Sequence, residues 1–273
     1  MNEAASSTFE YSLLLWLSTA GVAVLASHVA MSWAHLAQRA PALRQSWRAL
    51  LLAAGALGSG LCSVAVLSQA AEVLGFPLGY RALWVPALWL GAIAGSFAVA
   101  WTLARSRSWW APLASGALLA ALAAGVQAGW VAAAGFRPGV LWQAEFVVAG
   151  VILLVVGLPS ALWLGFSPIV QDSGHRRIWR AAAAAVAGLT VTGAQQVLML
   201  ASGLVTQVGS VYLDEVSGTA LTLICGVLVP VVLLVMALDL YSRQPRKHRS
   251  NRGPEAAFAG RKKHRRHYHD HSQ

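Results

Sequence analysis

The sequence predicts an all-α integral membrane protein with seven transmembrane helices. Of its 273 residues, 57% are hydrophobic and only 11% are charged, whereas soluble domains carry about 25% charged residues. Seven mainly apolar segments reach the roughly 20 residues that a helix needs to cross a bilayer. Lysine and arginine are concentrated in alternate connectors and in the C-terminal tail, as is typical of multi-pass membrane proteins.

The seven segments follow one another with short connectors. The first is expected to be a mature spanning helix, because the N-terminus carries Glu3 and Glu10 and lacks the basic region of a signal peptide. Pro230 is expected to kink the last helix. The predicted spans are about 11–36, 49–75, 82–104, 109–135, 140–166, 179–206 and 216–241.

This pattern predicts three parts of the chain. Residues 1–10 form an extracytoplasmic N-terminus, residues 11–241 form the seven-helix membrane domain, and residues 242–273 form a disordered basic cytoplasmic tail. Three tryptophans near the predicted outer helix ends, Trp84, Trp130 and Trp142, are expected to anchor the bundle at the membrane interface.

Charge predicts the orientation N-out/C-in. The connectors after helices 1, 3 and 5 hold eight arginines, on the same side as the ten Lys and Arg residues that follow Tyr241. The opposite side holds only Arg81 and Arg137. Because cytoplasmic loops are enriched in Lys and Arg, the side with eighteen basic residues is predicted to be cytoplasmic.

The formal charge of +10 comes largely from the tail, which follows a membrane helix and is not a face of a folded domain. We therefore expect no nucleic-acid partner, and we expect the tail to contact anionic lipid. The tail histidines His267, His269 and His271 are weak candidates for metal binding. The neighbouring arginines oppose cation binding, so lipid contact is the favoured interpretation.

The chain contains an internal repeat. After helix 1 come three helix pairs, 2–3, 4–5 and 6–7, and residues 83–104 and 141–166 share a similar pattern that begins with Leu-Trp. Each pair leaves and returns to the same side, so the copies are parallel. Inverted repeats, which are typical of many transporters, are not indicated.

One helix followed by three parallel helix hairpins resembles the MHYT sensor domain of bacterial membrane proteins. Residues 18–37, STAGVAVLASHVAMSWAHLA, are similar to that family's first helix, and residues 55–80 are similar to its first repeat. The resemblance covers about residues 10–242. It implies a multi-pass protein of the bacterial cytoplasmic (inner) membrane, with a copper-dependent sensing and signalling role in which the bound metal recognises a diatomic gas.

The family's metal-binding motifs are degenerate in this chain. They lie near the outer ends of helices 2, 4 and 6, where the family has Met, His and Tyr side chains. Gly129 and Met199 retain the motif residues, but all three histidines are absent. Copper sites need imidazole or thioether ligands, so we expect the family's copper site to be lost. The motif positions are occupied by Val64, Ala65, Val66 and Gln69 in helix 2, by residues 126–130 in helix 4, and by Gln195, Gln196 and Met199 in helix 6.

Glutamines at these positions suggest a polar ligand pocket in place of the metal site. Polar side chains at membrane depth are costly and are therefore functional candidates. The alternative is that each glutamine forms a hydrogen bond to a neighbouring helix and only stabilises packing. The candidate pocket comprises Gln69, Gln127, Gln195, Gln196, Met199 and the charged Glu145 near the start of helix 5.

Three histidines lie elsewhere in or near the helices. His28 is expected to be a satisfied intramembrane side chain. His35 and His175, near the predicted inner interface, are expected to be solvated.

The sequence excludes or disfavours several functions. A retinal protein needs a lysine in the last helix, but the lysines are Lys247, Lys262 and Lys263, all in the tail. An enzyme is not expected, because the helices contain no cluster of His, Asp and Glu. A tail of about 32 residues is too short for an output domain, so signalling would require a cytoplasmic partner. Two functions remain: a membrane sensor, or a structural, accessory or transporter-like membrane protein with no sensing role.

Overall fold

The computed structural model describes residues 13–40, 43–71, 77–106, 108–137, 141–167, 176–203 and 209–243. Seven helical spans within these ranges are long and apolar enough to cross a membrane, which confirms the predicted number. The last span consists of α7, a π-helical turn and α8. The helices are α1 Leu13–Arg39, α2 Leu43–Ala71, α3 Trp84–Arg105, α4 Ala111–Ala134, α5 Ala144–Phe166, α6 Arg176–Ala201, α7 Gly218–Leu223 and α8 Val229–Arg243.

Two helix ends differ clearly from the sequence prediction. Helix α2 begins at Leu43 rather than near residue 49, so Arg44, Trp47 and Arg48 belong to its first two turns. Arg and Gln are good helix formers, so the helix can begin before the apolar segment does. Helix α6 ends at Ala201, before the predicted residue 206.

Helices α1 to α6 form a closed ring in which each helix packs on the next and α6 packs on α1. Glycines permit the close approaches. A Cβ atom at Gly188 of α6 would lie 2.6 Å from the backbone nitrogen of Val24 in α1, and one at Gly58 of α2 would lie 2.7 Å from the Ile93 backbone in α3. Since lipid provides no hydrophobic drive for helix association, such backbone proximity is a main source of packing energy.

The seventh span packs principally on α2, while α6 packs mainly on α5 and α1. The two helices of the third predicted hairpin, α6 and the seventh span, therefore pack on each other less than the helices of the first two hairpins do. A π-helical turn, Ile224–Leu228, joins α7 to α8. Pro230, which has no N–H to donate to the helical ladder, is the second residue after this turn. The kink that the sequence predicts at Pro230 stays a prediction.

The chain divides into two compact units, Met1–Leu238 and Asp239–Gln273. In the second unit the structure describes the end of α8, where the Ser242 hydroxyl donates a hydrogen bond to the Asp239 carbonyl over 2.8 Å. The tail histidines His267, His269 and His271 lie outside the described residues.

The connectors of the three helix pairs meet at one end of the ring and pair through short antiparallel strands. We call the set of strands the loop cap: β1 Gly79–Tyr80 pairs with β6 Val216–Ser217, β2 Phe136–Arg137 pairs with β5 Gly209–Ser210, and β3 Leu141–Trp142 pairs with β4 Ser202–Gly203. The connector between α6 and α7 thus pairs with both other connectors. All three connectors therefore lie at the same end of the bundle, as expected for three parallel helix hairpins.

Ser210 joins the elements of the loop cap. Its buried hydroxyl lies 2.9 Å from the carbonyl oxygens of Gly79 and Ala134, and it accepts a hydrogen bond from the Gly79 N–H over 3.2 Å. Gly135, which ends α4, adopts a left-handed conformation with φ 58°. It leads the chain from α4 directly into β2.

Candidate functional site

The three glutamines singled out in the sequence lie toward the same end of three different helices. Gln69, Gln127 and Gln195 lie near the loop-cap ends of α2, α4 and α6, and each is at most 2% exposed. At 1.5 Å per residue, Gln127 and Gln195 lie about 10 Å from the ends of their helices, while Gln69 lies in the last turn of α2. The structure therefore buries all three amides beneath the loop cap.

Two hydrogen bonds fix two of these amides. The Gln127 Nε2 atom donates to the Met199 sulfur over 3.2 Å, which connects α4 to α6. The Tyr80 hydroxyl donates to the Gln69 Oε1 atom over 2.9 Å, which connects the loop cap to α2. Tyr80 is almost completely buried, and burial raises the pKa of its phenol above the ordinary value. The phenol is therefore neutral and can act as the donor.

Each amide also has one buried atom without a hydrogen-bond partner among the described residues. These atoms are Nε2 of Gln69, Oε1 of Gln127 and Oε1 of Gln195. Exchanging the oxygen and nitrogen of the Gln69 amide would leave the same number of unpaired positions. The same exchange at Gln127 would break its hydrogen bond, because the Met199 thioether can only accept. A buried unpaired polar atom costs about 1–3 kcal/mol, so such atoms often mark a functional site or a place for an ordered water molecule. The amides therefore provide hydrogen-bonding positions for a polar guest.

Trp130 forms an aromatic wall beside this region. It is fully buried, and its ring packs edge-on against Tyr80 and Trp89 at centroid distances of 5.5 and 6.4 Å. Its indole N–H has no acceptor of ordinary geometry among the described residues, although it lies near the Cys62 thiol. The expectation that Trp130 anchors the bundle at the interface is wrong, because its ring faces the interior of the bundle.

Two members of the predicted pocket are placed differently. Gln196 is only half-buried, one residue beyond Gln195 on α6. Glu145 is exposed in the first turn of α5. The structure thus buries the three amides and Met199 toward the loop-cap ends of their helices, whereas the Glu145 carboxylate is exposed. A ligand-binding role for these residues stays a prediction.

Tyr80 and Trp130 were missed as candidate site residues by sequence reasoning. Trp130 occupies the last position of the helix 4 motif, which was a usable signal. Tyr80 lies in a connector, and its contact with Gln69 depends on how the loop cap folds. Nothing in the local sequence indicates that contact.

The two histidines that the structure describes lie in α1, away from the amides. His28 is half-buried in α1. His35 is buried: its Nε2 atom donates to the Gly165 carbonyl over 3.1 Å, and its ring stacks on Phe166 at 4.1 Å. The expectation that His35 is solvated is wrong, because α1 continues for another turn to Arg39 and faces α5 at that level. His175 lies outside the described residues.

The residues present do not fit the copper site that the family resemblance implies. At the motif positions the structure places amides, small apolar side chains and one thioether, and that thioether accepts the Gln127 hydrogen bond. Within the described ranges, no group of three or more His, Cys, Asp or Glu side chains could hold a metal ion. Cys62 and Cys225 are buried and do not form a disulfide. No chemical step is therefore assigned to copper.

An apolar cavity of about 40 Å³ lies inside the ring of α1 to α6. Its lining includes Val64 and Val191, which lie four or five residues from Gln69 and Gln195 on the same helices. Its lining also reaches Phe166, on which His35 stacks. The cavity therefore extends from roughly one turn below the amides toward the opposite end of the bundle.

Sequence comparison places the chain near a bacterial signalling protein. It is 33% identical over 181 residues to the bifunctional diguanylate cyclase/cyclic di-GMP phosphodiesterase MucR of Pseudomonas aeruginosa, and the match covers 63% of this chain and 25% of the relative. The chain thus spans about a quarter of the length of the curated relative it matches. A match of this extent must include much of the helical region. No family model matches the chain, and no solved structure matches it.

These findings define a class: a multi-pass membrane protein with seven apolar helices, homologous to part of a signalling protein. The seven helices imply a lipid bilayer as the surrounding medium.

Proposed function

We propose that this chain is a sensor of the MHYT type in the bacterial inner membrane and that it regulates cyclic di-GMP turnover. The observation that carries the proposal is the burial of one glutamine in the first helix of each hairpin, toward the loop-cap end of that helix. The similarity to a diguanylate cyclase/phosphodiesterase supports the signalling pathway. The excess of arginines at the end opposite the loop cap supports the orientation N-out/C-in.

The proposed signal is a small, neutral molecule that forms hydrogen bonds. The buried amides of Gln69, Gln127 and Gln195 offer both donor and acceptor positions, and none of them is charged. A charged ligand would lose its hydration without a compensating charge at this depth. The rings of Tyr80 and Trp130 would provide apolar contacts beside the amides. The protein would act by binding and would not itself be catalytic.

The loop cap provides a route for the signal. Met199 and Gln195 belong to α6, and the connector that follows α6 pairs with both other connectors before it enters α7. A ligand that draws the amides of α4 and α6 together would therefore shift that connector and the seventh span behind it. A cyclase or phosphodiesterase unit on the cytoplasmic side, in a partner or in another part of a longer protein, would read this shift.

The test is to express the chain in Pseudomonas aeruginosa and to measure intracellular cyclic di-GMP by mass spectrometry. We expect a change of about twofold or more relative to cells with an empty vector, at equal growth phase. If the protein is inserted in the membrane and the cyclic di-GMP level does not change, the structural or accessory function is favoured. Metal analysis of the purified chain is the second measurement, since stoichiometric copper would contradict a ligand held by amides.

A further inference from the structure

An aromatic cluster joins the ends of α2 and α3 that lie opposite the loop cap. The Trp47 ring of α2 stacks on Phe97 of α3, with centroids 5.5 Å apart and planes 15° apart, and it contacts Trp101 at 4.9 Å. The guanidinium carbon of Arg105 lies 4.0 Å from the centroid of the Trp101 ring. Trp47 and Arg105 are exposed, so this arginine–tryptophan cluster is on the outer surface of the bundle.

The charge around this cluster is positive. Arg44 and Arg48 lie in the first two turns of α2, on either side of Trp47, and both are exposed. The described carboxylates of the first unit are those of Glu145, Asp214 and Glu215, and all three lie at the loop-cap end. Charges separated by the length of a helix are screened from each other at physiological salt. The arginines of the cluster are therefore not neutralised by those carboxylates.

The cluster lies at headgroup depth. Helix α3 has 22 residues, which gives a length of about 33 Å against a hydrocarbon thickness of about 30 Å. Arg105 is its last residue, and Trp101 lies one turn further in. Tryptophan at this depth prefers the boundary between acyl chains and headgroups, so the guanidinium above it is at the level of lipid phosphates.

We propose that the arginine–tryptophan cluster is a binding site for the phosphate group of an anionic phospholipid. Stacking on Trp101 holds the Arg105 guanidinium in one plane, and its N–H edge remains suited to two parallel hydrogen bonds with a phosphate. Arg44 and Arg48 add two positive charges on the facing helix. Phe97 and Trp47 form an apolar surface along which an acyl chain can lie. A zwitterionic lipid is disfavoured because the arginines would repel its ammonium group.

Native mass spectrometry of the full chain tests this site. The protein, purified in a neutral detergent, is incubated with equimolar phosphatidylglycerol and phosphatidylcholine of identical acyl chains. We expect about tenfold more bound phosphatidylglycerol than phosphatidylcholine. Arg105→Gln and Trp101→Leu should each reduce this preference at least threefold. The matched control is Arg81→Gln, which removes one exposed arginine at the loop-cap end and should leave the preference unchanged.

Equal binding of the two lipids would overturn the proposal, as would an equal loss of preference in Arg81→Gln and Arg105→Gln. Displacement of the bound lipid by millimolar glycerol phosphate would also overturn it, because the site would then recognise a free phosphate. Arg105→Lys keeps the charge without the planar fork and should retain an intermediate preference. If Arg105→Gln does not fold, Arg105→Lys and Trp101→Leu provide the same comparison, and wild-type preference in both would contradict the site.

Discussion

The Gln127 amide donates a hydrogen bond to the Met199 thioether, and this 3.2 Å contact joins α4 to α6. Sulfur is a weak acceptor, and the Oε1 atom of the same amide has no partner among the residues that the structure describes. The contact therefore satisfies little of the hydrogen-bonding capacity of Gln127. A side chain placed only to hold two helices together would be expected to use both of its amide atoms.

Replacing Gln127 by leucine should therefore leave the stability of the protein nearly unchanged or slightly increased. The substitution removes one weak hydrogen bond together with a buried, unpaired oxygen, and such exchanges are often neutral. Thermal unfolding in detergent is the measurement, with Gln195→Leu as the parallel variant. A loss of more than about 2 kcal/mol would show that the amide is mainly a structural contact.

Replacing Tyr80 by phenylalanine should destabilise the protein by about 1–3 kcal/mol. The variant loses the phenol that donates to Gln69, and the Gln69 amide is then buried without a partner. Chemical unfolding near pH 7 measures the difference. An unchanged midpoint would mean that Gln69 finds another donor.

The contribution of Tyr80 should also depend on pH. Burial raises the pKa of the phenol, so the folded state favours its neutral form. This contribution is fully present below the unfolded pKa of about 10 and is lost as pH rises through the higher pKa of the folded state. Wild type should thus lose stability more steeply above pH 10 than Tyr80→Phe. Parallel curves for the two proteins from pH 7 to 11 would contradict this assignment.

Replacing Ser210 by alanine should loosen the loop cap. The variant loses the hydroxyl that contacts both the Gly79 and the Ala134 carbonyl oxygens, at a cost of about 2 kcal/mol. Limited proteolysis of the connectors and thermal unfolding are the measurements. Ser106→Ala is the matched control, because Ser106 is exposed and its hydroxyl accepts only a long 3.4 Å hydrogen bond. Equal effects of the two variants would contradict a central role for Ser210.

Replacing Gly135 by alanine should be more harmful than replacing another glycine. Gly135 has φ 58° and its missing Cβ would overlap the Tyr212 ring, so the variant combines a conformational cost of about 1–2 kcal/mol with a steric clash. Gly91→Ala is the control, because a Cβ there meets no atom within 4 Å. It should be neutral or stabilising by up to about 1 kcal/mol. The measurement is the unfolding midpoint of each variant relative to wild type. A drop confined to Gly135→Ala indicates local strain, whereas equal drops in Gly135→Ala and Gly91→Ala would indicate a general sensitivity to glycine loss.

The sequence was sufficient to predict the seven helices, because segment length and hydropathy depend on the chain alone. It also predicted that Gln69, Gln127 and Gln195 each fall within the motif region of one repeat, toward the same end of the bundle. It could not predict the loop cap, whose two-residue strands depend on contacts between distant connectors such as Gly79 with Ser217.

The errors at Trp130 and His35 have a common cause. Both residues lie in helix regions where composition suggests an interface, and only the packing of neighbouring helices determines which face is buried. Trp130 turns toward Tyr80, and His35 turns toward Gly165. Helix periodicity alone gives no information about which neighbour covers a given face when almost every face is apolar.

Whether the buried amides receive the signal is tested most directly by the cyclic di-GMP level of cells that express wild type or the double variant Gln127→Leu/Gln195→Leu. We expect wild type to change the cyclic di-GMP level about twofold or more. We expect the double variant, with the unfolding temperature and the membrane density of wild type, to have no effect on that level. A double variant that changes the level as much as wild type does would contradict a signalling role for the amides.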